Sequence, residues 1–217
     1  MRRVFSTLVV SCLALLCMAA HAMQFPRPVR PGEEPWRKPF NAALEKKVSG
    51  DVKKPFAEVI DWFREQAGVS FVVDPKAAEG APAAAVAAKD TPLGQALKQT
   101  LAPLGLEYEV RDMAIFVFNP KTLDKAMLLP EDLPVARLLD NREEVLNFEP
   151  QGMAAGEALK ELTEQPGIKL AVDEAIKKTP ITLKLKEVRL GYAIRWAVRF
   201  AGGKIIVDRE GMKVVKR

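Results

Sequence analysis

The stretch Glu65–Asp74, EQAGVSFVVD, returns 99 positions later as Glu164–Asp173, EQPGIKLAVD, with five of ten residues identical and the apolar positions in step. A repeat of that kind constrains the fold more than any other feature of the 217-residue chain. Whatever the chain folds into must be buildable twice from about 75 residues each, a size at which small domains can fold alone.

The surroundings of the phrase give it an architecture. In the first copy Phe56, Val59, Ile60, Phe63 and Ala67 recur at helical spacing, with Pro55 in the first turn and Gly68 just past the end. Val69–Val73 reads as a short buried strand, and an alanine-rich loop and strand over residues 75–90 follow. A second helix carries Leu93, Ala96, Leu97, Thr100, Leu101 and Leu104 and stops at Gly105. Leu106–Val110 and Met113–Phe118 form a hairpin around Arg111-Asp112, and a leading strand is placed around Val48–Val52. The second copy repeats the plan: strand Val145–Phe148, helix Met153–Gln165 capped by Gly167, strands Ile168–Val172 and Ile181–Val188, a helix on Leu190, Ala193, Ile194, Ala197 and Ala201, and a hairpin around DREG. Each copy therefore reads β-α-β-β-α-β-β. The expected fold class is α+β, with two small tandem domains at 44–120 and 143–217, each packing two helices on small sheets.

The N-terminus has the three parts of a secretory signal peptide: Arg2 and Arg3, the apolar run Val4–Ala20, and Ala20-His21-Ala22 as a cleavage site. Residues 1–22 are expected to be removed and the protein to reach the periplasm. A lipid anchor on Cys12 or Cys17 is the competing outcome. Cleavage after Ala22 takes with it the only histidine, His21, and both cysteines. A mature chain without His or Cys has no disulfide framework, no soft-metal ligands, no cysteine nucleophile and no Ser-His-Asp triad. The formal charge of +5 drops to +3 without Arg2 and Arg3, too little for a nucleic-acid footprint. No cofactor or metal is expected.

Residues 23–43 begin with Pro26, Pro28, Pro31, Pro35 and Pro39, which block regular pairing, so this stretch is expected to be an extended arm. Between the copies, residues 121–142 carry Pro130 and Pro134 among Met127, Leu128, Leu129, Leu133, Leu138 and Leu139. That connector is too apolar to hang free. It is expected to pack on one or both domains as short helical or extended pieces.

The rhythm of AAGEALKELTEQPGIKLAVD, ITLKLKEVRLGYAIRWAV and KIIVDREGMKVV in the second copy resembles the short N-terminal domain of secretins and TonB-dependent outer-membrane receptors. PFAEVIDWFREQAGVSFVVD, TPLGQALKQTLAPLGLEYEV and MAIFVFN carry the same resemblance in the first. The resemblance implies small periplasmic docking domains that engage envelope partners, such as a secretin or an outer-membrane receptor. Neither a secretin pore region nor an outer-membrane barrel accompanies it in this sequence.

The two copies disagree at positions that point to an interface. Trp62 stands where the second copy has Glu161, and Tyr192 and Trp196 stand where the first has Gln95 and Gln99. Tyr192 and Trp196 are i, i+4 neighbours beside Arg195 and Arg199. The candidate interface is therefore Trp62, Tyr192, Arg195, Trp196 and Arg199, the residue types enriched at binding hot spots. The alternative is that Tyr192 and Trp196 pack on the connector or on the first copy. Asp74 and Asp173 end the repeated phrase in equivalent places and read as turn residues rather than catalytic carboxylates. The closing MKVVKR is expected to leave a sheet edge guarded by Lys and Arg, able to accept a partner strand. The expected function is non-enzymatic docking in an envelope assembly, with peripheral outer-membrane association. The alternative is a glycan-binding module stacking sugars on Trp62 and Trp196.

Overall fold

The computed structural model describes residues 34–128, 133–140, 142–164, 168–209 and 211–217. The expected signal peptide, residues 23–33 of the arm, connector residues 129–132, the Gly167 cap and Glu210 of the DREG turn lie outside the described residues.

The elements of the first copy are α1 (Arg37–Glu45), β1 (Lys47–Lys54), α2 (Phe56–Ala67), β2 (Phe71–Val73), α3 (Pro75–Ala78), β3 (Ala84–Pro92), α4 (Leu93–Leu101), β4 (Glu107–Arg111) and β5 (Ala114–Phe118). Those of the second are α5 (Leu133–Asp140), β6 (Val145–Phe148), β7 (Met153–Ala154), α6 (Ala155–Glu164), β8 (Leu170–Val172), α7 (Glu174–Lys177), β9 (Pro180–Ile181), β10 (Leu185–Arg189), α8 (Leu190–Phe200), β11 (Gly203–Val207) and β12 (Met212–Lys216). The fold is α+β, as the hydrophobic periods predict.

The duplication extends to topology. In each copy a three-stranded sheet sets its last strand in the middle, antiparallel to one neighbour and parallel to the short strand of the repeated phrase. The orders are β2-β5-β4 and β11-β12-β8. β12 is thus a central strand, and MKVVKR is not the guarded edge the sequence suggests. In each copy the first strand also pairs antiparallel with the strand that leads into α4 or α8, β1 with β3 and β6 with β10. Both ladders carry a bulge whose extra residue has positive φ, Asp90 at 50° and Glu187 at 53°. Its N–H is held by a side chain of the opposite strand: Ser49 Oγ accepts from Asp90 N and Asn147 Oδ1 from Glu187 N, each at 2.9 Å. Asp74 and Asp173 cap α3 and α7, accepting from Lys76 N and Ala175 N. The turn role expected of them is what the structure shows.

The repeat unit is longer than its sequence rhythm indicates. α1 begins in the expected extended arm and ends two residues past it, and α5 lies in the connector. Pro39 and Pro134 sit in the first turn of these helices, where the N–H would have no intrahelical partner in any case. The two helices are equivalent. Leu93 N donates to Lys46 O and Leu190 N to Glu144 O, both at 2.8 Å. The next residues, Gly94 and Gly191, lie against Leu44 of α1 and Leu139 of α5.

The two copies do not keep separate cores. Residues Pro35–Arg217 form one compact unit. Alternate residues of a strand face opposite sides. Phe71, Ile115 and Val117 therefore enter the core of the first copy, while Val72, Ala114, Phe116 and Phe118 enter that of the second. Met127, Val135 and Leu139 of the connector join the second core, as expected of so apolar a segment, and Leu138 is exposed.

Candidate functional site

The expected aromatic-basic surface patch is an internal seam. Trp196 is 1% exposed, Arg195 3% and Arg199 6%. Trp196 packs its ring 5.1 Å from Phe116 and donates Nε1–H to Asp112 O at 3.0 Å. Arg199 pairs with the Asp112 carboxylate and lies 5.5 Å above the Trp196 ring. Asp112 and Met113 both have positive φ, so the β4–β5 hairpin tip is a tight primed turn whose first residue is held through both its carbonyl and its carboxylate by α8. Arg195 bonds Asp140 at 2.7 Å and lies 4.9 Å above the half-buried Tyr192 ring, which sits 5.8 Å from Trp36. Burial raises the Tyr192 phenol pKa, with Arg195 opposing. Ser70, fully buried, adds a two-way bond across the seam, donating to Lys186 O at 2.9 Å and accepting from Lys186 N at 2.8 Å. The helical wheel finds the patch, but another part of the chain covers it.

Trp62 has an equally structural explanation. It is half-buried over Gly50, where an added Cβ would come within 2.7 Å of its Cζ2. Gly50 pairs with Ala88 as Phe148 pairs with Leu185, so Phe148 occupies the equivalent position in the second copy. Where one copy has Gly50 and Trp62, the other has Phe148 and exposed Glu161. The glycan reading asked for half-exposed Trp62 and Trp196; Trp196 is buried, and Trp62 is half-buried.

The seam leaves a cleft beside it, about 810 Å³ in volume. One wall belongs to the first copy: Phe56, Ile60 and Arg64 of α2 and the whole of β2. The other is formed by Gln151, Pro180 and the run Thr182–Lys184, with Phe200. That second wall exists because the two copies differ in one ladder. In the first copy β1 and β3 pair without interruption from Gly50–Ala88 to Lys54–Ala84. In the second the same ladder is split into β6·β10 and β7·β9. Between them the chain bows out, with Leu183 N bonded to Pro150 O and Gly152 N to Thr182 Oγ1, both at 3.0 Å. The sequence predicts one strand over Ile181–Val188; the break at 182–184 makes it two and forms the cleft wall.

β2 presents an open edge to this cleft. Ser70 O accepts from Ile115 N, and Asp74 N donates to Val117 O, so these groups face β5. The N–H and C=O of Phe71 and Val73 then point the other way. Arg64 Nη2 reaches Phe71 O at 3.2 Å, while its Nη1 pairs with Asp61, which also receives Lys184 at 3.3 Å. Burial lowers the Arg64 pKa, and Glu149 opposes the shift. The result is an apolar groove with a charged rim and a short strand edge. It suits an extended polypeptide better than a compact polar metabolite.

Among the described residues no group of three His, Cys, Asp or Glu could hold a metal ion, and no helix is long and apolar enough to cross a membrane. Comparison with family models, curated proteins and solved structures finds no match for this chain.

Sequence reasoning passed over Asp61, Arg64 and Lys184. The signal was available in the comparison of copies, because Asp61 and Arg64 correspond to Lys160 and Thr163.

Proposed function

We propose that this chain is an exported, non-enzymatic docking protein of the bacterial envelope that binds a protein partner in the cleft between its two copies. A secretin-type export or pilus machine, or an outer-membrane receptor, is the assembly that the resemblance to short secretin and TonB-receptor N-terminal domains favours. The observation that carries the reading is the split ladder of the second copy, which opens a largely apolar cleft onto the β2 edge of the first. An extended segment laid there would meet the Val73 backbone and bury its apolar side chains against Phe56, Ile60 and Phe200.

The reading is tested by cross-linked capture of the exported protein from its native envelope, comparing the natural chain with Ala78→Trp. Ala78 is exposed at the cleft rim, so the substitution blocks the groove without entering a core. Loss of a specific captured envelope protein supports the proposal. An identical capture profile for the two proteins removes the cleft from it.

A further inference from the structure

One edge of β3 pairs with β1, without interruption from Gly50–Ala88 to Lys54–Ala84. Among the described residues no other hydrogen bond reaches Ala84–Ala88, so the second edge of the strand is open. β3 contributes no residue to the cleft, and this edge is a separate feature. Ala84, Val86 and Ala88 face the first core, while Ala85 and Ala87 are exposed on the outer side. From Ala81 to Ala88 the chain carries no charge and nothing bulkier than Val86.

Strand edges are ordinarily blunted by charge, proline, a bulge or a covering segment. The other strand of this ribbon, β1, carries exposed Lys47, Asp51, Lys53 and Lys54. In the second copy the matching stretch is broken at 182–184, Pro180 stands before the break, and Ser70 of the first copy takes both Lys186 N and Lys186 O. β3 has none of these protections along Ala84–Ala88.

The ends of this stretch make it self-complementary. Two-fold antiparallel pairing about Val86 sets Ala84 against Ala88, and Ala85 against Ala87, of a second copy. One residue further out, Ala83 meets Lys89, whose N–H and C=O are both held by Thr91 Oγ1. Then Pro82, which has no N–H, meets Asp90, whose N–H is held by Ser49 Oγ. Positions that cannot pair thus oppose one another, and no charge on the strand faces a like one. Alanine gives a foreign strand no charge or large side chain to read, whereas a second copy matches both the length of the stretch and its ends.

We propose that two copies of this chain associate through β3, forming an antiparallel sheet in the order β1-β3-β3-β1 with Val86 on the two-fold axis. The inference goes beyond the docking reading and stands without it. A contact confined to Ala84–Ala88 on each side is smaller than a standard interface, so the dimer is weak and reversible.

The test is sedimentation equilibrium of the mature protein from about 10 µM to about 1 mM, the range suited to so small an interface. Reversible dimer formation is the expected result. Ala85→Lys with Ala87→Lys puts lysine opposite lysine twice across the axis and should weaken the dimer about tenfold. Ala85→Glu with Ala87→Lys puts glutamate opposite lysine twice and should leave it at least as tight as in the natural chain. Both positions are exposed, and within one copy they pair with Lys53 and Asp51, so both variants should keep the fold, which thermal unfolding at low concentration checks. A natural chain that stays monomeric at about 1 mM would overturn the inference. So would a dimer that the two variants weaken equally, or that neither variant changes.

Discussion

Replacing Trp196 with alanine separates the seam from a surface patch by its energetic signature. The side chain is 1% exposed, stacks on Phe116 and donates a hydrogen bond to Asp112 O. Truncating a buried Trp costs about 3–5 kcal/mol in lost transfer energy and cavity. Leaving the Asp112 carbonyl without its donor adds about 1 kcal/mol. Arg199 also loses the ring beneath it, which raises the cost further. A total of about 4–6 kcal/mol is a large part of the 5–15 kcal/mol that holds a typical domain together. In urea, with a slope of about 2 kcal/mol per molar, the midpoint falls by roughly 2–3 M. The assay is equilibrium unfolding of the mature protein followed by far-ultraviolet circular dichroism. A solvent-facing Trp196 would give a change within about 0.5 kcal/mol. A loss below about 1 kcal/mol would refute the seam.

The exchange of Gly50 and Trp62 for Phe148 and Glu161 predicts coupling: Gly50→Phe drives an aromatic ring into Trp62 and Trp62→Glu empties the space, each destabilising by about 1–3 kcal/mol. The double variant imports the second copy's Phe148–Glu161 pair, and its measured cost should be well below the sum of the singles. Gly191→Ala places a Cβ 2.2 Å from Leu139 O, backbone that cannot yield cheaply, whereas Gly94→Ala meets Tyr108 Oη at 3.0 Å and Leu44 side-chain atoms at 3.4 Å. Thermal unfolding should show a loss of about 3 kcal/mol or more for the first and about 1 kcal/mol or less for the second. Ser70→Ala strips partners from Lys186 N and O and should cost about 2–3 kcal/mol in urea unfolding. Burial raises the Asp74 pKa above its ordinary value, so the ionised carboxylate destabilises the fold at neutral pH and the penalty disappears as pH falls through the folded pKa towards the unfolded one. Asp74→Asn keeps an N-cap and should unfold at a higher temperature at pH 7 than the natural chain, with the advantage shrinking as pH is lowered.

The repeat made the order of elements readable because both periods, 3.6 for helices and 2 for strands, are written twice. Positions such as Asp74 and Asp173 could be assigned a turn role from their equivalence alone. α1 and α5 were hidden because proline is a breaker inside a helix but harmless in its first turn, and no spacing rule says which applies at Pro39 or Pro134. The seam was half legible. The comparison of Tyr192 and Trp196 with Gln95 and Gln99 marks a real contact, but an amphipathic face does not record whether its partner is another molecule or the same chain. The cleft was not legible at all from hydrophobic pattern, since Ile181–Val188 keeps a strand's composition across the break at Thr182–Lys184. One extra residue between the paired ends of β6 and β7, relative to β1, is the only trace of it.

The most direct test of the docking account is a photo-crosslinking residue in place of Thr182, exposed on the cleft wall, with the same residue in place of exposed Gln95 on α4 as the control. The account predicts one discrete envelope-protein adduct from position 182, none from position 95, and loss of the adduct when Ala78→Trp is added. The absence of any adduct specific to position 182, or the same adducts from both positions, would contradict it.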